Sequence, residues 1–197
     1  MSFSFKLPSR KESSPLKVSY TDPGIFGILS VQLSELLSAV QPGQEIVVVC
    51  VGTDRSTGDA LGPLVGTQLN KYSTAPFTVY GTLEDPVHAM NLSETLDSVQ
   101  EKHRNPFIIA VDACLGQLTS VGSIQIGSGP VKPGAGVNKD LPPVGDCHIT
   151  GIVNVGGFME YFVLQNTRLS LVMKMSEIIS RSIQATISLH HRQANRG

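Results

Sequence analysis

The sequence predicts an α/β protein, a three-layer αβα sandwich around a mostly parallel central sheet. Three observations carry this. Residues 45–52 and residues 107–112 are continuous apolar, β-branched runs, the pattern of strands buried on both faces. Between and after them, hydrophobic residues recur at helical spacing, so strands alternate with helices and right-handed crossovers are expected. The chain has 197 residues, 41% hydrophobic and 16% charged, which suits one sizeable core and no second domain.

The elements follow in order. Residues 1–20 are rich in Ser, Lys and Pro and read as a flexible N-terminal segment, followed by a single domain over residues 21–192 and a tail over 193–197. Ile25, Ile28, Leu29, Leu33, Leu36, Leu37 and Val40 mark a helix, stopped by Pro42-Gly43. The first buried strand leads through a loop, residues 53–58, into a helix whose face is Leu61, Leu64, Val65 and Leu69. Gly62 on that helix allows close packing on the sheet. Residues 77–83 read as a short strand and residues 88–102 as a helix with Leu92, Leu96 and Val99 inward. The second buried strand ends at Asp112. Residues 120–126 alternate and read as an antiparallel or edge strand. Residues 128–147 form a loop crowded with Gly and Pro, residues 149–155 the last strand, and residues 158–165 and 167–189 two helices.

Charge excludes one class of partner. With 15 basic and 16 acidic residues the formal charge is -1, and no basic stripe for nucleic acid exists. No apolar run reaches about 18 residues, so no membrane span is expected. The odd, widely spaced Cys50, Cys114 and Cys147 argue for reduced thiols rather than a disulfide framework, and no secretory signal begins the chain. A cytoplasmic protein is expected.

Ligands of such sheets bind beyond the carboxyl ends of the strands. Two segments place acids there. Asp59 lies in Gly52-Thr53-Asp54-Arg55-Ser56-Thr57-Gly58-Asp59, between a strand and a helix, and is either a plain helix cap or a site carboxylate. The loop lacks the GxxxxGK[ST] and GxGxxG patterns of phosphate binders. Asp112 follows an apolar strand, where it either caps a turn or faces a cleft, because an unpaired buried charge is costly. If the two strands are neighbours, the carboxyls share one hollow and one pKa rises. Such a pair activates water, or chelates a divalent metal, and local sequence leaves both open. Gly145-Asp146-Cys147-His148 adds a third group. His148 is a candidate metal ligand with Asp59 and Asp112, or a base for a Cys114 nucleophile, or an ordinary rim residue. Adjacent Cys147 and His148 point in opposite directions if extended. His88 and His103 read as solvated.

These segments resemble a family. Thr57-Gly58-Asp59-Ala60-Leu61-Gly62-Pro63 is similar to the TPDALGP motif of the germination protease of spore-forming bacteria. Ala110-Val111-Asp112-Ala113 resembles that family's strand ending in Asp-Ala, and Pro133-Gly134-Ala135-Gly136-Val137-Asn138-Lys139 its PGxGVGN segment. The strand-to-acid layout also resembles the hydrogenase maturation proteases. Together the likeness spans residues 45–165, and its closest form is a small sporulation relative of the germination protease. It implies a phosphorylase/hydrolase-like fold and an atypical aspartic peptidase in which Asp59 and Asp112 are catalytic. In the maturation proteases, acids at these positions and a histidine bind nickel, which implies His148 as the third ligand. The sequence departs from the pattern in Thr53-Asp54, where the family has Asn, and in Gly58, where it has Pro.

The leading expectation is a peptidase acting on a protein or peptide during sporulation or germination, in the forespore or spore core, with no cofactor or with a divalent metal. Asp54, Gly134, Gly136 and His148 are the expected substrate-binding residues. The alternatives are a non-catalytic binding or checkpoint protein on the same fold, and a metal-binding maturation-type endopeptidase. Either terminal helix is available to a homo-oligomer.

Overall fold

The computed structural model describes residues 15–72, 75–134 and 141–195. It holds a six-stranded sheet of strands β1 (Leu16–Ser19), β2 (Ile46–Cys50), β3 (Thr78–Tyr80), β4 (Phe107–Gly116), β5 (Ser123–Ser128) and β6 (Cys147–Val155). Their order across the sheet is β1-β5-β6-β4-β2-β3. β5 alone runs against the others, pairing antiparallel with β1 and β6, while β6, β4, β2 and β3 are parallel.

The alternation within β2 explains the three layers. Val48 and Cys50 face a core built by helices α1 (Ile25–Leu37), α2 (Leu61–Leu69) and α5 (Leu169–Ala194), with Leu29, Leu33, Val65, Met175 and Ile179 buried in it. Val47 and Val49 face the opposite side, where Leu92 and Val99 of α3 (Leu92–Lys102) cover them. With both faces covered, an all-apolar strand is the physically required sequence. A short helix, α4 (Glu160–Gln165), follows β6 and is tied to it by Asn154 Nδ2, which donates to the Val163 carbonyl at 3.1 Å.

The chain leaves β2 for β3 on one side and returns past β2 to β4 on the other. That reversal opens a crevice at the carboxyl ends of β2 and β4.

Three expectations need correction. Leu16–Ser19, expected within a flexible segment, is an ordered edge strand, held by four paired positions on β5 from Leu16↔Ile126 to Ser19↔Ser123. β5, expected as an antiparallel or edge strand, is antiparallel and interior. α5 extends through Ala194, so the helix runs into the expected tail. β4 does not stop at Asp112 but continues to Gly116, pairing with β6 across an irregularity between Cys114 and Leu115.

Candidate active site

Three chain segments meet level at the carboxyl end of the sheet. The Val51 N–H donates to the Val111 carbonyl at 2.7 Å, and Val51 bridges Val87 in parallel, with the Gly52 N–H donating to the Val87 carbonyl at 2.8 Å. Because Cys50 pairs with Val111, Val51 stands level with Asp112. The loop then turns back on itself. Gly52 has φ +146°, and a Cβ there would collide with the Asp59 carbonyl oxygen. That same carbonyl accepts the Thr53 N–H at 3.2 Å, which brings Asp59 over the strand end.

Asp59 is not the helix cap. Ala60 occupies the N-cap of α2 and makes no side-chain cap hydrogen bond there. The helix that follows lies directly on the sheet, since a Cβ at Gly62 would meet the Val51 carbonyl. The close packing expected of Gly62 is present.

Asp59 and Asp112 both line one hollow of about 560 Å³, with Gly52, Thr53, Arg55 and Ser56 on one side and His88, Met90 and Tyr161 around the mouth. Both aspartates are half-buried. Burial pushes the Asp112 carboxyl up to about 8. The Ala113 N–H, donating to Asp112 Oδ1 at 2.8 Å, opposes that rise, and the negative charge of Asp59 adds to it. Asp112 keeps some solvent exposure as a residue, while its carboxyl is ringed by protein atoms. At neutral pH Asp112 is a proton donor beside a second carboxyl group. A larger hollow of about 650 Å³ lies at the opposite end of the sheet, lined by Glu45, Phe77, His190 and His191, and contains neither aspartate.

The other expected site residues divide. Gly134 lines the hollow with the aspartates. Asp54 is exposed and does not line it; it accepts from Thr53 Oγ1 at 3.5 Å. Gly136 lies outside the described residues. His148 does not reach the hollow. Asp112 pairs with Thr150, so His148 sits two positions back along β6, level with Ala110, and its Nδ1 bonds the Gly129 carbonyl at 2.9 Å. Cys147, its neighbour, points into the opposite core, as expected for adjacent strand residues.

That placement removes two ideas. Asp59, Asp112 and His148 do not form a donor set, and among the described residues no group of three or more His, Cys, Asp or Glu side chains is placed to hold a metal ion. The nickel site implied by the family resemblance therefore does not fit the described residues. A Cys114 nucleophile also lacks its base. The thiol is pushed up to about 11 by burial, against a hydrogen bond with Thr150, and His148 is held elsewhere.

Two histidines read as solvated are not. His103 is buried, its Nδ1 bonded to the Glu45 carboxylate and its Nε2 3.1 Å from the Tyr80 hydroxyl. His88 is half-buried and lines the hollow. His88 gave no local signal: it lies well beyond the end of β3 and reaches the rim through the Val87–Val51 bridge, a tertiary pairing. Tyr161 gave no local signal, because the fold of α4 over the rim is a tertiary fact.

The comparisons with known proteins agree with this architecture. The chain is 56% identical over 185 residues to the uncharacterized protein YyaC of Bacillus subtilis (strain 168), covering 94% of this chain and 90% of that one. The crystal structure of a [NiFe] hydrogenase maturation protease, HycI from Thermococcus kodakarensis KOD1, superposes with a TM-score of 0.54 at 18% identity. It covers 79% of this chain and 98% of that one, a likeness of fold. No helix among the described residues is long and apolar enough to cross a membrane. The family model described as a protein of unknown function, DUF1256, matches residues 17–182, and the chain belongs to that family.

Proposed function

We propose that the chain is a peptidase of the germination-protease type that hydrolyses a protein substrate during sporulation or germination, inside the cell or spore that makes it. The observation that carries this reading is the pair itself: Asp59 and Asp112 line one hollow, and Asp112 is held protonated well above the ordinary carboxyl range. Environments that push two carboxyl groups apart assign acid and base. The fold likeness to a solved maturation protease supports a hydrolase-like scaffold.

The chemistry needs no cofactor. Water enters between the aspartates and a peptide carbonyl. Asp59 takes a proton from the water while its oxygen bonds the carbonyl carbon. The tetrahedral oxyanion then collapses, the C–N bond breaks, and Asp112 gives its proton to the departing nitrogen. The products are a carboxylic acid and an amine. A proton passing from Asp59 to Asp112 restores the starting state.

The rim suits a polypeptide. Met90 and Tyr161, which line the hollow, are 87% and 59% exposed, and Phe162, whose ring meets that of Tyr161 edge-on, is 52% exposed. Apolar side chains of a bound chain can cover this surface.

The test is direct. The purified chain, Asp59→Asn and Asp112→Asn are incubated with a small spore protein and with a peptide library, and fragments are read by mass spectrometry. Cleavage by the parent and a loss of about 10³-fold or more in each variant, with unchanged circular dichroism, is the expected result. Undiminished cleavage in both variants removes the aspartate mechanism. Complex formation without any cleavage points instead to a binding protein.

A further inference from the structure

The proposed pair of acids accounts for the attacking water and the leaving amine. It leaves the carbonyl oxygen, where negative charge develops, without a donor. His88 is in the right neighbourhood. It follows Val87, which bridges Val51, and Val51 stands level with Asp112, so His88 is fixed one residue beyond the row that carries the acid. Asn91 braces the turn: its Oδ1 accepts the His88 N–H at 2.7 Å, and its Nδ2 donates to the Pro86 carbonyl at 3.0 Å.

The ring is also oriented. The Met90 backbone N–H donates to His88 Nδ1 at 3.3 Å. A nitrogen that accepts carries no proton, so the neutral ring holds its hydrogen on Nε2. No described residue bonds Nε2. His88 lines the same hollow as Asp59 and Asp112, yet the three are not placed to share an ion.

We infer that His88 is a catalytic residue of the peptidase reaction, its Nε2–H donating a hydrogen bond to the scissile carbonyl oxygen in the hollow it shares with the two aspartates. The inference rests on the peptidase reading above. His88 forms no covalent bond and transfers no proton; it holds the oxyanion until the C–N bond breaks.

The two amide replacements separate this role from a structural one. In His88→Asn the side-chain oxygen can still accept the Met90 N–H, but nothing reaches the Nε2 position. In His88→Gln the side-chain N–H reaches toward that position. Kinetics are measured on a peptide that the unaltered chain cleaves, with thermal melting to check folding. His88→Ala and His88→Asn are expected to lower kcat by about 10²-fold with KM changed less than about threefold, and His88→Gln to recover about tenfold. If His88→Ala does not fold, the Asn and Gln variants carry the test. Unaltered kcat in His88→Asn, or a loss confined to KM, overturns the inference while leaving the aspartates as the site. If the unaltered chain cleaves no peptide, the peptidase reading falls and this one with it.

Discussion

Asp112 sets the pH behaviour of the site. An unfolded aspartate titrates near 3.9, whereas burial holds this one up to about 8 in the folded chain. Between those values the folded state binds more protons than the unfolded state, so stability falls as pH rises through the window. Below it, the carboxyl is neutral in both states and contributes no difference. Asp112→Asn removes the titrating group. The variant is expected to match the parent at pH 4 and to be more stable by about 1–3 kcal/mol at pH 8, a figure reduced for water in the cleft. Urea unfolding at pH 4, 6 and 8 measures this, and parallel pH profiles for the two proteins would contradict it. Cleavage itself should fall as pH rises through about 8, because the acid loses its proton.

At the scale of elements, the site depends on how closely α2 lies on β2. Val51 serves three neighbours at once: its N–H goes to Val111, it bridges Val87, and its carbonyl sits against Gly62. A methyl group at Gly62 has backbone in its place rather than a flexible side chain. Gly62→Ala should therefore push the helix off the strand, costing about 2–4 kcal/mol and displacing Asp59 with it. Denaturant unfolding reads the first effect and peptide cleavage the second. A Gly62→Ala chain as stable as the parent would mean that the helix start moves freely. At the other side of the sheet, β1 shields β5 from solvent through its four paired positions. Its sequence, Leu16-Lys17-Val18-Ser19, is short and polar on alternate positions, with Lys17 Nζ bonded to Ser120 Oγ at 3.0 Å, as suits a protected edge.

For the whole molecule, the sheet's two ends are distinct. The carboxyl end carries the aspartates, His88 and the apolar rim. At the opposite end Glu45, just before β2, bonds His103, whose ring also meets the Tyr80 hydroxyl, and these contacts tie the end of α3 to β2 and β3. No described set of side chains is placed to hold a metal, so cleavage should be unchanged after dialysis against a chelator, and elemental analysis should find no stoichiometric nickel or zinc. A metal at one equivalent, lost together with activity, would reverse that expectation.

The local sequence determined the class of the fold, the parallel strands, α2 and the two acids, because each rests on neighbours in the chain. Val47 to Val49 must be a doubly covered strand, and an acid closing an apolar run must either cap a turn or face an opening. What the tertiary structure decided was registry between distant segments. Which strands are neighbours, and how far each slides along the next, fixes whether a side chain reaches the hollow. One step of registry brought His88 beside Asp112 through Val87 and Val51, and a two-residue offset on β6 kept His148 away. Hydrophobic periodicity tells which face of an element is buried, but it carries no information about the partner across the ladder, so these two histidines could be told apart only in the folded chain.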